Sequence, residues 1–202
     1  SKPNPNDLAY KPFALPPHTD NPYRKPEAPG IQFLHCLKNE VSGGFSTLVD
    51  GFSVAEYIKL NEPEAFESLT KTNLRYRFQD KDIILENWGE LIELDKDGDY
   101  KQVRYSTRVD YVPPLENEKL DSFYKARKLL GDLYTSSDFE IKFKLSPGDV
   151  MMFDNHRLLH GRTSYDSSEG ARHLQGCYLE FDSTDGKLRH LHEKYYLSET
   201  NL

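Results

Sequence analysis

Two short stretches of the chain carry residues that could bind a metal ion. In the first, PPHTDNPYR, His18 and Asp20 stand two positions apart. Side chains at i and i+2 of a β-strand point to the same face, so an imidazole and a carboxylate could reach one ion there. Because the chain has 33 acidic residues and 7 histidines among 202, about one such pair is expected by chance. The pair therefore needs a third ligand from elsewhere before it indicates a site.

The second stretch, FDNHRLLHGR, offers that ligand through His156 or His160. On a strand the two histidines would lie about 13 Å apart, at about 3.3 Å per residue, which is too far to share one ion, whereas on one helical turn they could share it. The turn at Pro147 and Gly148, followed by the β-prone run VMMFD, favours a strand. We therefore expect one of the two histidines to complete the group.

Two histidines and one carboxylate on one side of a metal are typical of non-haem Fe(II) oxygenases, because three coordination positions stay open for a co-substrate and O₂. Two other interpretations remain open at this point: an ordinary surface His–Asp pair, and a zinc hydrolase with a water nucleophile. His190 and His192, near the C-terminus, are a further candidate metal pair, for which a solvated terminal helix is the favoured interpretation.

The composition indicates a folded domain that does not bind nucleic acid. Hydrophobic residues make up 37% of the chain, and 13 Tyr and 11 Phe supply bulk for a core. A net charge of -7, with no run of Lys or Arg, argues against a nucleic-acid surface. A chain of 202 residues suits one hydrophobic core, so we expect residues 1–202 to form a single domain.

Cysteine usage and the chain start bear on location and completeness. The chain has two cysteines, Cys36 and Cys177, and no stretch that resembles a signal peptide or a bilayer-spanning segment. We therefore expect a reducing, cytoplasmic location, no membrane partner, and both thiols as inert core residues. The opening SKPNPNDLAYKPFALPPH has neither an initiating Met nor a periodic pattern, so we expect that an N-terminal segment is missing.

The elements that must position these residues are mostly short strands. GIQFLHCL (30–37) and FSTLVDGF (45–52) are β-prone runs separated by a turn, and they predict a pair of neighbouring strands. DKDGD predicts a hairpin turn between LIELD and YKQVRYS. FEIKFKLSPGDVMMFDN and ARHLQGCYLEFD predict further strands.

Two regions have helical periodicity instead. SVAEYIKLNEPEAFESLT (53–70) predicts two short helices, with Ser53 as the N-cap and an interruption at Pro63. KLDSFYKARKLLGDLYTS (119–136) has apolar residues at helical spacing and predicts a helix on the outside of a sheet. Many short strands with little helix predict an all-β barrel or jelly roll with helical decoration.

Five ordered motifs carry a family resemblance: HTDNPYR, PGIQFLHCL, GGFSTLVDGF, LSPGDVMMFDNHRLLHGR and ARHLQGCYLEFD. Together they resemble the Fe(II)- and 2-oxoglutarate-dependent oxygenases of the taurine dioxygenase superfamily, and within it the gamma-butyrobetaine hydroxylase and trimethyllysine hydroxylase branch. The match runs from about Asn6 to Tyr178 and is weakest over residues 70–118. The resemblance implies a double-stranded β-helix and the cofactors Fe(II), 2-oxoglutarate and O₂.

The resemblance also assigns roles around the metal. It implies that His18, Asp20 and His160 bind iron and leaves His156 out. Arg172, twelve residues after His160, stands where the family has the arginine for 2-oxoglutarate; a guanidinium can hold a carboxylate with two hydrogen bonds, which lysine does poorly. The nearby rival for this role is Arg162, and the remaining co-substrate contacts implied are the Ser46 hydroxyl and the Leu34 backbone.

Substrate contacts follow from the same resemblance. A trimethylammonium group is attracted to aromatic faces, and Tyr10 and Tyr178 align with cage tyrosines of butyrobetaine hydroxylases. Further cage members in the family come from a segment that precedes this chain.

The other end of the substrate site departs from the butyrobetaine pattern. Asp7 and Ser106 stand where butyrobetaine hydroxylases have asparagines. An aspartate suits the α-ammonium of trimethyllysine, whereas Arg104 and Arg108 could supply positive charge for a carboxylate or phosphonate.

The sequence thus predicts an Fe(II)- and 2-oxoglutarate-dependent hydroxylase of a small trimethylammonium substrate. Gamma-butyrobetaine, in carnitine biosynthesis, is the first candidate, and trimethyllysine or a trimethylammonium phosphonate are the alternatives. A non-catalytic β-barrel binding module is the alternative from another class, and a homodimer is the expected assembly.

Overall fold

The structure, a computed structural model, describes residues 11–197, which contain twelve strands and four α-helices. The strands are β1 (Leu15–His18), β2 (Ile31–Asn39), β3 (Ser46–Asp50), β4 (Leu74–Gln79), β5 (Ile84–Gly89), β6 (Ile92–Leu94), β7 (Tyr100–Val103), β8 (Asp110–Tyr111), β9 (Glu140–Phe143), β10 (Val150–Asp154), β11 (Leu158–Arg162) and β12 (Arg172–Leu179). The helices are α1 (Gly51–Asn61), α2 (Pro63–Lys71), α3 (Asn117–Tyr134) and α4 (Phe181–His192), and a π-helical turn over Glu193–Leu197 follows α4.

Two antiparallel sheets face each other and form the barrel that was predicted. The first, here sheet A, has the order β1-β11-β3-β9, and the second, sheet B, has the order β10-β2-β12. A small apolar cluster fills the space between them, with members from both sheets. Its buried residues are Cys36, Leu145, Met151 and Phe153, and its partly buried neighbours are Leu34, Leu48, Phe143, Leu158 and Leu174.

The predicted pairing of runs 30–37 and 45–52 is wrong, because the two strands belong to different sheets. β2 pairs with β10 and β12, whereas β3 pairs with β11 and β9. Gly44 lies in the connection with a φ of +70°, a left-handed conformation that favours glycine. The connection therefore carries the chain from one sheet to the other instead of closing a hairpin.

The first two helices form where the pattern predicted them, with a different N-cap. Pro63 opens α2, at a position where its missing N–H costs nothing. The predicted N-cap Ser53 is wrong. The Asp50 carboxylate caps α1, accepting hydrogen bonds from the backbone N–H groups of Phe52 and Ser53. A carboxylate satisfies these otherwise unpaired donors well, so the N-cap lies three residues earlier than predicted.

The larger hydrophobic core lies between the helices and the remaining strands. From α3, the residues Phe123, Ala126, Leu130 and Tyr134 are buried, at the spacing of one helical face. They pack with α1, α2, β4 and the β6–β7 hairpin. The predicted hairpin turn over DKDGD is present, and Gly98 there has a φ of +88°.

One of the two expected core thiols is exposed. Cys36 is buried in the cluster between the sheets, but Cys177 is exposed. Cys177 is paired in register with Phe33, on the face of sheet B that points away from sheet A. Alternation along a strand reverses the side-chain direction at each residue, so only every second residue of β12 can reach the inner cluster.

Residues 11–197 include no helix that is long and apolar enough to cross a membrane.

Candidate metal centre

The three residues predicted to bind metal lie together in the structure. His18, at the end of β1, is paired in register with His160 on β11, and their ring centroids are 4.3 Å apart. Nε2 of His18 is 3.3 Å from Oδ1 of Asp20, and Nε2 of His160 is 3.7 Å from Oδ2. One ligand atom from each residue lies within 4.8 Å of the others, and residues 11–197 contain no other such group of histidine, cysteine or acidic side chains.

Asp20 reaches this position from the segment after β1, and not from the strand face that the sequence predicted. β1 ends at His18, so Asp20 follows the strand and does not share its face. The fully buried amide of Asn155 holds it instead: the Asp20 N–H donates to Asn155 Oδ1 at 2.8 Å, and Asn155 Nδ2 donates to the Asp20 carbonyl at 3.1 Å. Asn155 also donates to the Pro29 carbonyl at 2.9 Å, which ties this bend to the segment before β2.

The ring of His18 is oriented for metal binding. Its Nδ1 lies 2.9 Å from the Pro16 carbonyl, and since a carbonyl only accepts, Nδ1 carries the proton. The other ring nitrogen, Nε2, faces Asp20 and is the atom that remains available to a metal. This is the arrangement in which a second hydrogen bond fixes the tautomer of a metal-binding histidine.

The electrostatics of the group suit a divalent cation. Burial, followed by the proximity of His18, lowers the pKa of His160 to about 3, so its imidazole is neutral at physiological pH. Burial alone would raise the pKa of Asp20, but the hydrogen bond with His18 and the charge interactions with His160 and His18 hold that pKa well below its ordinary value. Neutral imidazole and ionised carboxylate are the forms that bind metal.

The residues present therefore fit a first-row divalent ion with two nitrogen ligands and one oxygen ligand. The other histidine of the motif does not take part. Nε2 of His156 hydrogen-bonds the Ala28 carbonyl at 2.7 Å, and its ring packs against Phe181. His190 and His192 lie on α4 among exposed side chains and belong to no metal-binding group in the part of the chain described.

Two further side chains contact the Asp20 carboxylate. Gln32 Nε2 donates to Oδ2 at 2.9 Å, and the Tyr178 hydroxyl donates to the same oxygen at 2.5 Å. Neither Gln32 nor Asn155 was identified from the sequence. A signal for Gln32 was available, because it is a polar residue at an inward position of the apolar strand IQFLHCL. Asn155 lies in the turn between β10 and β11, where asparagine is common for local reasons, so no signal marked it.

Arg172, the predicted co-substrate arginine, is the first residue of β12 and is half-buried. It donates to the Gly44 carbonyl at 3.2 Å, and its guanidinium carbon is 5.6 Å from the centroid of the Tyr165 ring. Burial, and then the charge of Arg162, lower its pKa to about 10. Its Nε is buried with no hydrogen-bond partner among the described residues. The guanidinium is thus a desolvated cation that an anion would stabilise.

The rival arginine has a structural task. Arg162 donates to the carbonyls of Lys11 at 2.5 Å and Phe13 at 2.8 Å, and so holds the segment that leads into β1. Ser46 is buried and lies opposite Arg162 in the β3–β11 register. Leu34 is half-buried against the cluster between the sheets.

One face of β12 carries both Arg172 and Tyr178, the tyrosine that contacts Asp20. Arg172, Leu174, Gly176 and Tyr178 alternate along the strand and share the face towards sheet A. Leu174 packs on the cluster between the sheets, whose member Phe153 lies with its ring centroid 5.0 Å from that of His160. Members of this apolar cluster therefore lie next to Arg172 along β12 and next to His160.

The residues assigned to the substrate differ in exposure and in their contacts. Tyr178 is 41% exposed and reaches Asp20 with its hydroxyl, and Ser106 is buried.

The two arginines proposed as cations for the substrate differ in availability. Arg104 is buried and paired with Glu93, so it is not available to a substrate. Arg108 is exposed, and its charge reaches far enough to lower the pKa of His160. Tyr10 and Asp7 lie outside the described residues.

Known proteins share this sequence pattern. The family model described as "Taurine catabolism dioxygenase TauD, TfdA family" matches residues 1–178. The chain is 38% identical to human gamma-butyrobetaine dioxygenase over 194 residues, which is 94% of this chain and 50% of that protein. It is 35% identical to the gamma-butyrobetaine dioxygenase of Pseudomonas sp. (strain AK-1), covering 90% of this chain and 47% of that protein.

The mitochondrial trimethyllysine dioxygenase of Bos taurus is also 35% identical, over 87% of this chain and 42% of its own length. The chain therefore spans about half the length, or somewhat less, of the curated relatives that it matches.

Solved structures agree with the architecture. An asparagine oxygenase, solved with Fe(II), 2S,3S-3-hydroxyasparagine and succinate, has a TM-score of 0.65 at 18% identity and covers 83% of this chain and 50% of its own. A putative alpha-ketoglutarate dependent 2,4-D dioxygenase from Burkholderia xenovorans has a TM-score of 0.63 at 18% identity, covering 84% of this chain and 68% of its own. These likenesses confirm the predicted double-stranded β-helix. By the match over residues 1–178, the chain belongs to the TauD, TfdA family of taurine catabolism dioxygenases.

Proposed function

We propose that this chain is the catalytic domain of an Fe(II)- and 2-oxoglutarate-dependent hydroxylase of a small trimethylammonium compound. The observation that carries the proposal is the meeting of His18, Asp20 and His160, with one ligand atom of each within 4.8 Å of the others. We further propose that residues 1–202 form a single domain. The relatives named above are dioxygenases, which supports the reaction class.

In this proposal His18, Asp20 and His160 hold Fe(II) on one side and leave its other side to the co-substrate. The iron, with 2-oxoglutarate and O₂, supplies the oxidation that replaces a C–H bond of the substrate by C–OH while 2-oxoglutarate becomes succinate and CO₂. The protein's own task is to hold the reacting carbon in place and to exclude water. The apolar side chains between the sheets are suited to excluding water.

Arg172 binds the distal carboxylate of 2-oxoglutarate in this proposal. Its guanidinium is half-buried and lacks a partner at Nε, so a carboxylate there would gain two charge-assisted hydrogen bonds. The Ser46 hydroxyl and the Leu34 backbone are proposed as further contacts of the co-substrate. Support for them is positional, since Ser46 lies opposite Arg162 on sheet A and Leu34 lines the inner face of sheet B.

Gamma-butyrobetaine is the first candidate substrate. Relatives with this activity in their names are 38% and 35% identical to the chain. Tyr178 presents a half-exposed ring next to the metal ligands, where a trimethylammonium group would find an aromatic face. Tyr10 is proposed as a second cage member, and Ser106 and Asp7 as contacts for the other end of the substrate.

Trimethyllysine is the second candidate, because the bovine trimethyllysine dioxygenase is as similar to the chain as the bacterial butyrobetaine enzyme. Asp7 favours it, since an aspartate attracts an α-ammonium group. Replacing Asp7 with Asn should then shift preference towards gamma-butyrobetaine. An unchanged preference would exclude Asp7 from the substrate site.

The test is succinate release by the full-length protein with each candidate substrate. We expect His160→Ala and Asp20→Ala to abolish substrate-dependent succinate formation, because each removes one of three metal ligands. His190→Ala, which changes an exposed histidine on α4, is the matched control and should retain activity. Near-normal turnover by either ligand variant would remove that residue from the metal site.

We propose a cytoplasmic setting, a role in carnitine biosynthesis and a homodimeric assembly. Two free cysteines are consistent with a cytoplasmic location, and the candidate substrate is consistent with carnitine biosynthesis. A homodimer is supported by α4 and the turn after it, where Leu188, Leu191 and Tyr195 are 67%, 37% and 55% exposed at helical spacing. The mass of the full-length protein in light scattering decides that point.

A further inference from the structure

We propose that Gln32 and Tyr178 are positioning residues of the metal centre, which hold Oδ2 of Asp20 so that Oδ1 binds the metal. The inference rests on the proposed function for the metal itself. It gives Tyr178 a task beyond an aromatic face for the substrate, and it gives a task to Gln32, to which the family resemblance assigned no role.

The geometry behind the proposal is the meeting of two donors at one oxygen. Gln32 Nε2 lies 2.9 Å from Asp20 Oδ2, and the Tyr178 hydroxyl lies 2.5 Å from it. Gln32 on β2 and Tyr178 on β12 are register partners, so their side chains emerge next to each other on the same face of sheet B. The sheet thus presents both donors as a pair to a carboxylate that comes from another part of the chain.

The chemistry favours one role for each carboxylate oxygen. A carboxylate oxygen has about two lone-pair sites, so two hydrogen bonds occupy Oδ2. Hydrogen bonds to an ionised acceptor are also about twice as strong as neutral ones, which makes rotation of the carboxylate costly. Oδ1, 3.3 Å from the metal-facing Nε2 of His18, is the oxygen left for the metal.

The surroundings of Gln32 fix its direction. Its side chain is buried, with the residue 2% exposed, and its Oε1 has no hydrogen-bond partner among the described residues. Turning the amide around would place Oε1 against the Asp20 carboxylate, where two acceptors repel. The donor therefore points at Asp20, although this leaves a buried acceptor unpaired, a cost of about 1–3 kcal/mol.

The same row of sheet B reaches a second ligand. Phe153 on β10 is the register partner of Gln32 on its other side, and its ring lies 5.0 Å from that of His160. Phe153, Gln32 and Tyr178 thus stand in line across three strands, and the row contacts both His160 and Asp20. A substitution in this row should alter the geometry of the metal ligands more than it alters the fold.

The test measures Mn(II) binding by the full-length protein without substrate. Gln32→Met keeps the size of the side chain and removes the donor, and Tyr178→Phe keeps the ring and removes the hydroxyl. We expect each to weaken Mn(II) binding roughly 10–100-fold, the usual effect of losing such a hydrogen bond to a ligand. We also expect the electron paramagnetic resonance spectrum of bound Mn(II) to change, because a freed carboxylate can bind through both oxygens.

Matched controls separate positioning from general damage. Gln102→Met replaces another buried glutamine, 1% exposed on β7, and Tyr57→Phe replaces a tyrosine that is 43% exposed, against 41% for Tyr178. Both should bind Mn(II) as the original protein does. The Gln32→Met, Tyr178→Phe double variant should lose less than the product of the single losses, because both groups hold one oxygen.

The outcomes distinguish this inference from the proposed function. If the original protein binds Mn(II) and the variants bind it equally well with the same spectrum, the positioning role is wrong while the metal site stands. If the original protein binds no Mn(II), both the positioning role and the proposed metal site are wrong. Tyr178→Phe changes a half-exposed residue, so the inference stays testable even if Gln32→Met does not fold.

Discussion

At the scale of single residues, the placement of Arg172 depends on a glycine. A Cβ added to Gly44 would lie 2.8 Å from Nε of Arg172 and 3.1 Å from its Cδ. Arg172 also donates to the Gly44 carbonyl, so its side chain is in contact with the Gly44 backbone. A side chain at position 44 would push the guanidinium from its present place.

We therefore expect Gly44→Ala to weaken 2-oxoglutarate binding. Loss of one charge-assisted hydrogen bond, about 1.5–3 kcal/mol, corresponds to roughly a 10–150-fold weaker affinity, measured by titration of the metal-loaded protein. Gly98→Ala is the control, because Gly98 also has a positive φ but no atom within 4 Å of an added Cβ. It should cost stability through the backbone alone. Equal affinity in the two variants would show that Arg172 does not hold the co-substrate.

At the scale of elements, a buried ion pair attaches α3 to the sheet β5-β4-β8. Arg127 on α3 donates to Asp110 on β8 at 2.5 Å, with side chains 21% and 3% exposed. Burial raises the pKa of Asp110, and Arg127 opposes that rise. Removing the arginine would leave a buried carboxylate without its cation.

Arg127→Met should lower the free energy of unfolding by about 3 kcal/mol at neutral pH, measured by urea denaturation. The loss should shrink as pH falls, because the unpaired Asp110 takes up a proton more readily in the folded state and then carries no charge. The control is Lys128→Met on the same helix, whose pair with Asp132 is exposed and contributes below about 0.5 kcal/mol. Similar losses in both variants would contradict a structural role for the buried pair.

At the scale of the whole molecule, the three candidate metal ligands join distant parts of the chain. His18 and His160 lie far apart in the sequence and meet on neighbouring strands of sheet A. A metal bound there can be held only by the folded chain, so binding must add to the free energy of unfolding.

Mn(II) at 100 times its dissociation constant should therefore raise the free energy of unfolding by about 2.7 kcal/mol. For a chain of this length the melting temperature should rise roughly 5–10 °C, measured calorimetrically, and a chelator should reverse the rise. His160→Ala should melt at the same temperature with and without metal. A metal-dependent rise in that variant would place the binding site elsewhere.

How far the sequence alone goes can be seen in particular elements. The break at Pro63, the helix α3 and the turn at Gly98 follow from local pattern, and the structure contains all three. Residue type and spacing offered His18, Asp20 and one of His156 and His160; the family resemblance selected His160, and the structure brings these three together. Local structure depends on nearby residues, and chemical type depends on the residue itself, so both can be predicted directly from the sequence.

Tertiary structure decided which strands pair and which polar groups contact Asp20. β2 and β3 look like a hairpin in sequence but lie in different sheets, because each pairs with strands more than ninety residues away, among β9, β10, β11 and β12. The contacts of Gln32 and Asn155 with Asp20 likewise span 12 and 135 positions. The sequence does not show which group a side-chain amide will hydrogen-bond, because that depends on where the folded chain places the two groups.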